Sequence, residues 1–413
     1  MLNDRHYLDC ASTVPLRPEA ARAMASWIEQ GGAGDPGRVH AEGRVVRDAI
    51  ERARESVAAL LGTTANRIVF TSGGTEAANA AIFAAGGARR GAPMICADVE
   101  HSCVREAARR SAEVCRLEVD SNGRIDLEHL SALLAGARDA VHGLGDGAGG
   151  GGGDDDGAGG GSIGAGADRD RPALVNCQWC NHEVGTLQPV AEVVALCRSA
   201  GVPVHLDAAA AAGHVPLELD SLGADYVSVS AHKLGGPAGT GALFVRRGLR
   251  LEPFVMGGAQ ERARRGGLEN VIGIVGFGAA AAALIEPGRL TAERATALHL
   301  TEALLEAATS VSDVSALGDT DSRVPHIVNV AVGGVLAEAV LLGLDRSGIA
   351  AHSGSACSSE SIEPSPVLAA MGVDPDRSLR LSVGWSSTEA DVEAFAEAFP
   401  QIVERLRALG NAV

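Results

Sequence analysis

Between residues 67 and 245 short apolar runs alternate with helix-length stretches, and this alternation constrains the fold more than any other feature. Arg67-Ile-Val-Phe-Thr71, Pro93-Met-Ile-Cys-Ala97, Ala173 to Trp179, Val202-Pro-Val-His-Leu-Asp207, Asp225-Tyr-Val-Ser-Val-Ser230 and Gly241-Ala-Leu-Phe-Val245 read as strands. Helical patterns cover roughly 41–61, 75–87, 101–110, 126–138 and 190–200. The pattern predicts an α/β fold with a mostly parallel central sheet, which binds ligands at the carboxyl ends of its strands. From about residue 257 the pattern changes to a long Ala-rich helical stretch over 270–309. Helices follow, with strands at Val328-Asn-Val-Ala-Val332 and Ser378-Leu-Arg-Leu-Ser382. The expected division is a large domain over 15–256 and a smaller α+β domain formed by 1–14 with 257–413. Residues 143–170 are almost wholly Gly, Ala and Asp, too poor in apolar surface to offset their ordering entropy, and predict a flexible insert in the large domain.

Charge and cysteine usage narrow the function classes. A formal net charge of −17 argues against non-specific nucleic-acid binding and against an anionic membrane surface. No apolar run reaches membrane-span length, and the first residues carry no signal-peptide pattern, so a cytoplasmic location is expected. The eight cysteines, at 10, 96, 103, 115, 177, 180, 197 and 357, form no disulfide framework for a chain this size. Cys177 and Cys180 make a C-x-x-C inside a strand-like run, with no second pair at zinc spacing, so no metal site is expected.

Lys233 is the sole lysine among 35 basic side chains, the rest being arginine. Arginine matches lysine in surface charge and ion pairing, but only lysine readily loses a proton and forms an imine with a carbonyl. The neighbours of Lys233 decide whether that chemistry is used. Phe70-Thr-Ser-Gly-Gly-Thr-Glu76 follows a strand and opens a helix, offering backbone N–H groups from Gly74 and Thr75, and hydroxyls, to a phosphate. Asp207 ends one apolar strand; Ser230, His232 and Lys233 end or follow another. A phosphate cradle, a carboxylate and a lysine so placed match the needs of pyridoxal phosphate: an anchor, a partner for the pyridine nitrogen and an imine-forming amine. His101, in Val99-Glu-His-Ser102, begins a helix beside a strand end, where an imidazole can stack on a cofactor ring and move protons. Cys357, in Ala351-His-Ser-Gly-Ser-Ala-Cys-Ser-Ser359, lies in a polar, small-residue loop that suits a thiolate nucleophile.

These motifs, in this order, resemble the pyridoxal-phosphate cysteine desulfurases of the NifS/IscS type, within the class V aminotransferase family. Tyr7-Leu-Asp9, Gly34-Asp-Pro-Gly-Arg-Val-His40, Glu183-Val-Gly185, Glu363-Pro-Ser365 and Leu379-Arg-Leu-Ser382 extend the likeness over nearly the whole chain except the Gly/Asp insert. The resemblance implies a fold type I enzyme that converts L-cysteine to L-alanine, with sulfur leaving as a persulfide on Cys357. It implies that Lys233 holds the cofactor as an imine, Asp207 pairs with the ring nitrogen, and Gly74, Thr75, Ser230 and His232 hold the phosphate. It further implies that His101 acts as acid–base, that Arg380 grips the substrate carboxylate in bidentate fashion with Asn181 beside it, and that His182 contacts the ring. A homodimer and a sulfur-acceptor protein, an iron–sulfur scaffold or a sulfurtransferase, are the partners it implies. Three positions depart from the family pattern. His182 stands for the second Asn of Asn-Asn-Glu, Ala210 for a Gln that donates to the ring hydroxyl, and Leu268 for a Thr that reaches a partner subunit's phosphate. The alternatives are another class V enzyme, a transaminase or a selenocysteine lyase, and a weakly active or inactive cofactor-binding scaffold.

Overall fold

The computed structural model describes residues 5–136, 171–353 and 364–410. Cys357 and Glu363, and the 143–170 insert, lie outside the described residues. The strands are β1 (His6–Tyr7), β2 (Ile68–Thr71), β3 (Met94–Ala97), β4 (Val114–Leu117), β5 (Leu174–Gln178), β6 (Val204–Asp207), β7 (Tyr226–Ser230), β8 (Gly241–Val245), β9 (Val314–Leu317), β10 (Ile327–Val332), β11 (Ile349–Ala350) and β12 (Ser378–Ser382). The longer helices are α1 (Pro18–Glu29), α2 (Ala41–Leu60), α3 (Gly74–Ala88), α4 (Ser102–Ser111), α5 (Leu127–Leu134), α6 (Val190–Ala200), α7 (Val271–Leu284), α8 (Arg289–Thr309), α9 (Ala337–Arg346) and α10 (Glu389–Gly410).

Seven strands form the central sheet in the order β2-β8-β7-β6-β5-β3-β4. The neighbours from β7 to β4 run parallel, and β8 is antiparallel to both β2 and β7. Of the inner strands β3, β5, β7 and β8 are buried along their whole length and β6 up to Asp207, as a sheet covered on both faces requires. All six expected strands form. Val114–Leu117 adds a seventh whose Arg116 is exposed, an edge-strand pattern without the apolar run that marks the others. A second core surrounds the antiparallel sheet β12-β10-β9 and the short parallel pair β1-β11, and is covered by α8, α9 and α10.

The expected single helical stretch over 270–309 is two helices, α7 and α8, that meet at 82°. Pro287 cannot donate into a helix, and Gly288 adopts φ 79 at the break. α7 packs on α1 and α2 in the core of the seven-stranded sheet, so close that a Cβ on Gly278 would lie 2.5 Å from Ala53 Cα. The second core takes Leu8 and, from this part of the chain, residues from Ala297 onward. Among the described residues no single helix is long and apolar enough to cross a membrane.

The loop between β8 and α7 stores backbone strain. Glu261, Arg262 and Ala263 all sit at positive φ, 48°, 60° and 61°. The buried Glu261 carboxylate holds the loop down by accepting from both Arg54 Nη atoms, at 2.6 and 2.7 Å, and from Phe70 N at 2.9 Å. Ala263 lacks any such compensation of its own. Ala263→Gly is expected to stabilise the protein by about 1 kcal/mol, since glycine adopts this conformation without a Cβ clash. A raised midpoint in thermal unfolding checks it; an unchanged or lowered midpoint refutes it.

Candidate functional site

At the carboxyl ends of β5, β6 and β7 a cleft of about 690 Å³ opens between the two cores. Its floor comes from the large sheet. Asp207 ends β6, and its Oδ1 accepts from Ala209 N and from Ser228 Oγ, both at 3.0 Å. Among the described residues no hydrogen bond reaches Oδ2, so this oxygen is left for a partner in the cleft. Lys233 ends the single 3₁₀ turn that follows β7, and its carbonyl is 2.9 Å from His214 Nε2, which fixes the backbone beneath the amine. Ser230 and His232 flank Lys233 on the cleft wall. Burial, and then the neighbouring Lys233, lower the pKa of His232.

The opposite wall is the start of α3. Its N-cap is Gly73, which has no side chain to occupy the first N–H groups, so those donors stay available to an anion, with the Thr75 hydroxyl beside them next to the Cys103 thiol. Gly74 lies against Ser230 and Ala209, which sets the helix start beside the end of β7. Arg265 and Ser72 N engage the Glu76 carboxylate, keeping it from competing for those donors.

His101 caps α4, its Nδ1 accepting from Cys103 N at 3.2 Å with the Cys103 thiol at 3.1 Å. Its ring meets His182 edge to face, with centroids 5.1 Å apart. Burial lowers both imidazoles, His182 well below its usual range, so both are neutral near pH 7.

Two expected contacts differ in the structure. Asn181 does not face the cleft: its Oδ1 closes the turn by accepting from Glu183 N and Val184 N, and its Nδ2 donates to Val99 O. Its amide is thus consumed by backbone. Arg380 lines the cleft, but its Nη2 donates to Asp9 Oδ1 at 2.9 Å and Ser12 Oγ at 2.8 Å, and its Nη1 to His182 O at 2.9 Å. Both bidentate edges of a guanidinium include Nη2, whose two hydrogens are already used. A carboxylate gripped in the expected way must first displace Asp9 or Ser12 from Nη2.

Two cleft-lining residues, Cys103 and Gln178, and the buried Glu100 that bonds Gln178 escaped the sequence reading. Cys103 lies beside His101. Glu100 is fully buried, with Oε1 accepting from Gln178 N at 2.8 Å and Oε2 without a partner. Gln178 pairs in register with Asp207, lines the cleft, and is 2% exposed with neither amide atom hydrogen-bonded. An orphaned amide beside Asp207 costs about 1–3 kcal/mol unless a polar group meets it. The donor set therefore fits pyridoxal phosphate: an anion seat at α3, a free Asp207 oxygen for the ring nitrogen, a polar ring edge near Gln178 and His182, and Lys233 for the aldehyde. Bound there, the cofactor supplies an electron sink for a substrate amine. The signal for Gln178 was a polar residue two positions after Asn176 in a buried strand.

Burial, with Asp207 also nearby, pushes the Glu100 carboxyl up to about 8 from an ordinary 4.5. Between those values the folded state binds more protons than the unfolded one, so stability falls as pH rises through that window. Glu100→Gln removes this loss while keeping an acceptor for Gln178 N. The variant is expected to melt a few degrees above the unsubstituted protein at pH 8, and the gap should close towards pH 4.5. A gap that does not change with pH would contradict the assignment.

A parallel sheet with a lysine and an aspartate at neighbouring strand ends, facing an open helix start, defines the class: an α/β enzyme built around pyridoxal phosphate. The chain belongs to the aminotransferase class-V family, which it matches over residues 6–143 and 167–395. It is 37% identical over 413 residues to a cysteine desulfurase of Nostoc sp., covering 98% of this chain and 94% of the relative. It is 34% identical over 412 residues to the cysteine desulfurase IscS of Dictyoglomus turgidum, covering 98% and 95%. The solved NifS-like protein of Rickettsia africae superposes with a TM-score of 0.81 at 26% identity, covering 97% of this chain and 99% of that one. The family match breaks between residues 143 and 167, across the Gly/Asp-rich stretch.

Proposed function

We propose that the chain is a pyridoxal-phosphate-dependent cysteine desulfurase that converts L-cysteine to L-alanine and leaves the sulfur as a persulfide on Cys357. The carrying observation is the meeting of Lys233, Asp207, His101 and the α3 N-terminus in one cleft. The likeness to cysteine desulfurases along almost the full chain gives the substrate class. In this reading Arg380 orients the substrate carboxylate by exchanging it for Asp9. Lys233 takes the α-proton and later returns a proton to the product carbon. His101, neutral by burial, moves protons to and from the sulfur side, and Gly74, Thr75, Ser230 and His232 hold the phosphate. The Cys357 thiolate attacks the substrate sulfur as the Cβ–S bond breaks; the bonding pair stays with carbon, and protonation there gives alanine.

The persulfide passes to an acceptor protein that assembles iron–sulfur clusters or thio-cofactors, in the cytoplasm, with the enzyme a homodimer. Leu268, 63% exposed, offers that dimer an apolar surface where the family pattern has a threonine for the partner's phosphate. The test incubates the loaded protein with L-cysteine and a thiol reductant. Alanine and sulfide in equal amounts are expected; no alanine overturns the reading. A parallel reaction with L-selenocysteine separates a desulfurase from a selenocysteine lyase.

A further inference from the structure

Asp207 is backed by a chain of buried polar groups that none of the roles above uses. Ser228 Oγ lies 3.0 Å from Asp207 Oδ1, His205 Nε2 lies 3.1 Å from Ser228 Oγ, and His205 Nδ1 lies 3.1 Å from Asn176 Oδ1. Asn176 Nδ2 makes the last and longest contact, 3.4 Å to Ile95 O. The chain crosses β5, β6 and β7 through the pairs Asn176–His205 and Asp207–Ser228, and Asn176, His205 and Ser228 are all wholly buried. No water competes for its protons.

Those protons can be counted. Burial holds His205 down to about 4, so near neutral pH it carries one N–H. Ser228 brings one O–H, and an Asn176 that turns its oxygen to His205 brings none. Three links thus share two protons when Asp207 is ionised. With Asp207 Oδ2 left unprotonated and His205 carrying one N–H, every link is made in only two arrangements. In one, Asp207 is protonated and donates to Ser228, Ser228 donates to His205 Nε2, and Nδ1–H donates to Asn176 Oδ1. In the other, the Asn176 amide is turned over, an exchange of O and N of near-identical shape that gives up only the 3.4 Å contact. Then Nδ2 donates to His205 Nδ1, Nε2–H donates to Ser228, and Ser228 donates to an ionised Asp207. The charge of Asp207 and the tautomer of His205 are one variable. Glu100, His101, Cys103, Cys180 and Lys233 are the other ionisable groups near Asp207, from the α4 start, the end of β5 and the turn after β7.

We propose that His205 is a positioning residue for the cofactor ring nitrogen: its Nε2–H form turns the Ser228 hydroxyl onto Asp207 Oδ1 and so holds Asp207 as the carboxylate whose Oδ2 meets that nitrogen. The proposal rests on the pyridoxal-phosphate reading of the cleft and is independent of desulfuration, because its test contains no cysteine. The full chain is loaded with cofactor labelled with ¹⁵N in the ring, and NMR reads the ring nitrogen and the histidine nitrogens. A protonated ring nitrogen and a His205 signal from the Nε2–H tautomer are expected. Ser228→Ala and His205→Asn should each weaken cofactor binding by about tenfold, the worth of a hydrogen bond to a charged group. Both should move the ring-nitrogen signal towards the unprotonated value. The double variant should lose no more than either single one, and Ser228→Thr, which keeps the hydroxyl, should restore both readouts. An unchanged ring signal and affinity in Ser228→Ala overturns the proposal, as do losses that simply add. Ser228→Ala and Ser228→Thr alone carry the test if His205→Asn does not fold.

Discussion

Lys233→Ala is expected to abolish turnover and the visible absorbance of the cofactor-loaded protein, and Lys233→Arg is expected to do the same. The second result is the more informative. Arginine restores the positive charge and much of the length, and this chain uses arginine wherever charge alone is needed. A guanidinium neither forms the imine nor carries the α-proton at neutral pH. A fall in kcat of about 10⁴-fold or more is expected, the scale seen when a covalent catalyst loses its nucleophile. Cofactor binding should weaken without vanishing, because the α3 N-terminus, Thr75, Ser230 and Asp207 remain. Substantial turnover in Lys233→Arg, or an absorbance band near ~420 nm that survives Lys233→Ala, would sink the assignment of this amine as the imine partner.

Cys357→Ala separates cofactor chemistry from sulfur transfer. The variant is expected to load cofactor and to change its absorbance when L-cysteine is added, as the intact protein does. Alanine formation should fall by a factor comparable to the loss in Lys233→Ala, since among the described residues the two thiols that line the cleft, Cys103 and Cys180, are both held protonated by burial. Cys103 is the nearest challenge to that statement, because it lines the cleft beside His101. Burial pushes its thiol up to about 12, with Asp207 adding to the rise, so it offers almost no thiolate near pH 7. Mass spectrometry after a single turnover decides the matter: a 32 Da addition belongs on Cys357 in the intact protein. The same addition on Cys103 in Cys357→Ala would assign the sulfur to the wrong thiol.

The parts of the fold that were legible are those in which local pattern and burial agree. Val204 to Asp207 and Tyr226 to Ser230 are apolar and end in polar side chains, and a buried parallel strand that delivers chemistry at its carboxyl end needs both. The Arg116 strand was missed because an edge strand needs no second apolar face. The bend between α7 and α8 was missed because Ala and Leu continue on either side of Pro287-Gly288, and the direction of a helix after a break is set by tertiary packing. Within the site, Gly74, Thr75, His101, His182, Asp207, Ser230, His232, Lys233 and Arg380 do line one cleft. Asn181 does not, because which side of a turn faces inward depends on the backbone groups its amide must satisfy. Glu100, Gln178 and His205 stayed hidden for a related reason. Each matters through a partner on another strand, and nothing local distinguishes them from ordinary buried polar residues.

The hold of Asp9 and Ser12 on Arg380 has a consequence for selectivity among anions. A visitor to that guanidinium competes with an internal rival already in place, so the strength of its own ion pair is largely cancelled. Chloride, acetate or a dicarboxylate, which bring charge and little else, gain almost nothing by entering. An amino acid that also reaches Lys233 recovers the loss at its other end. With Arg380 as the proposed carboxylate seat, the site is expected to discriminate by counting points of attachment, and crowding by ordinary cellular anions should leave its apparent KM nearly untouched.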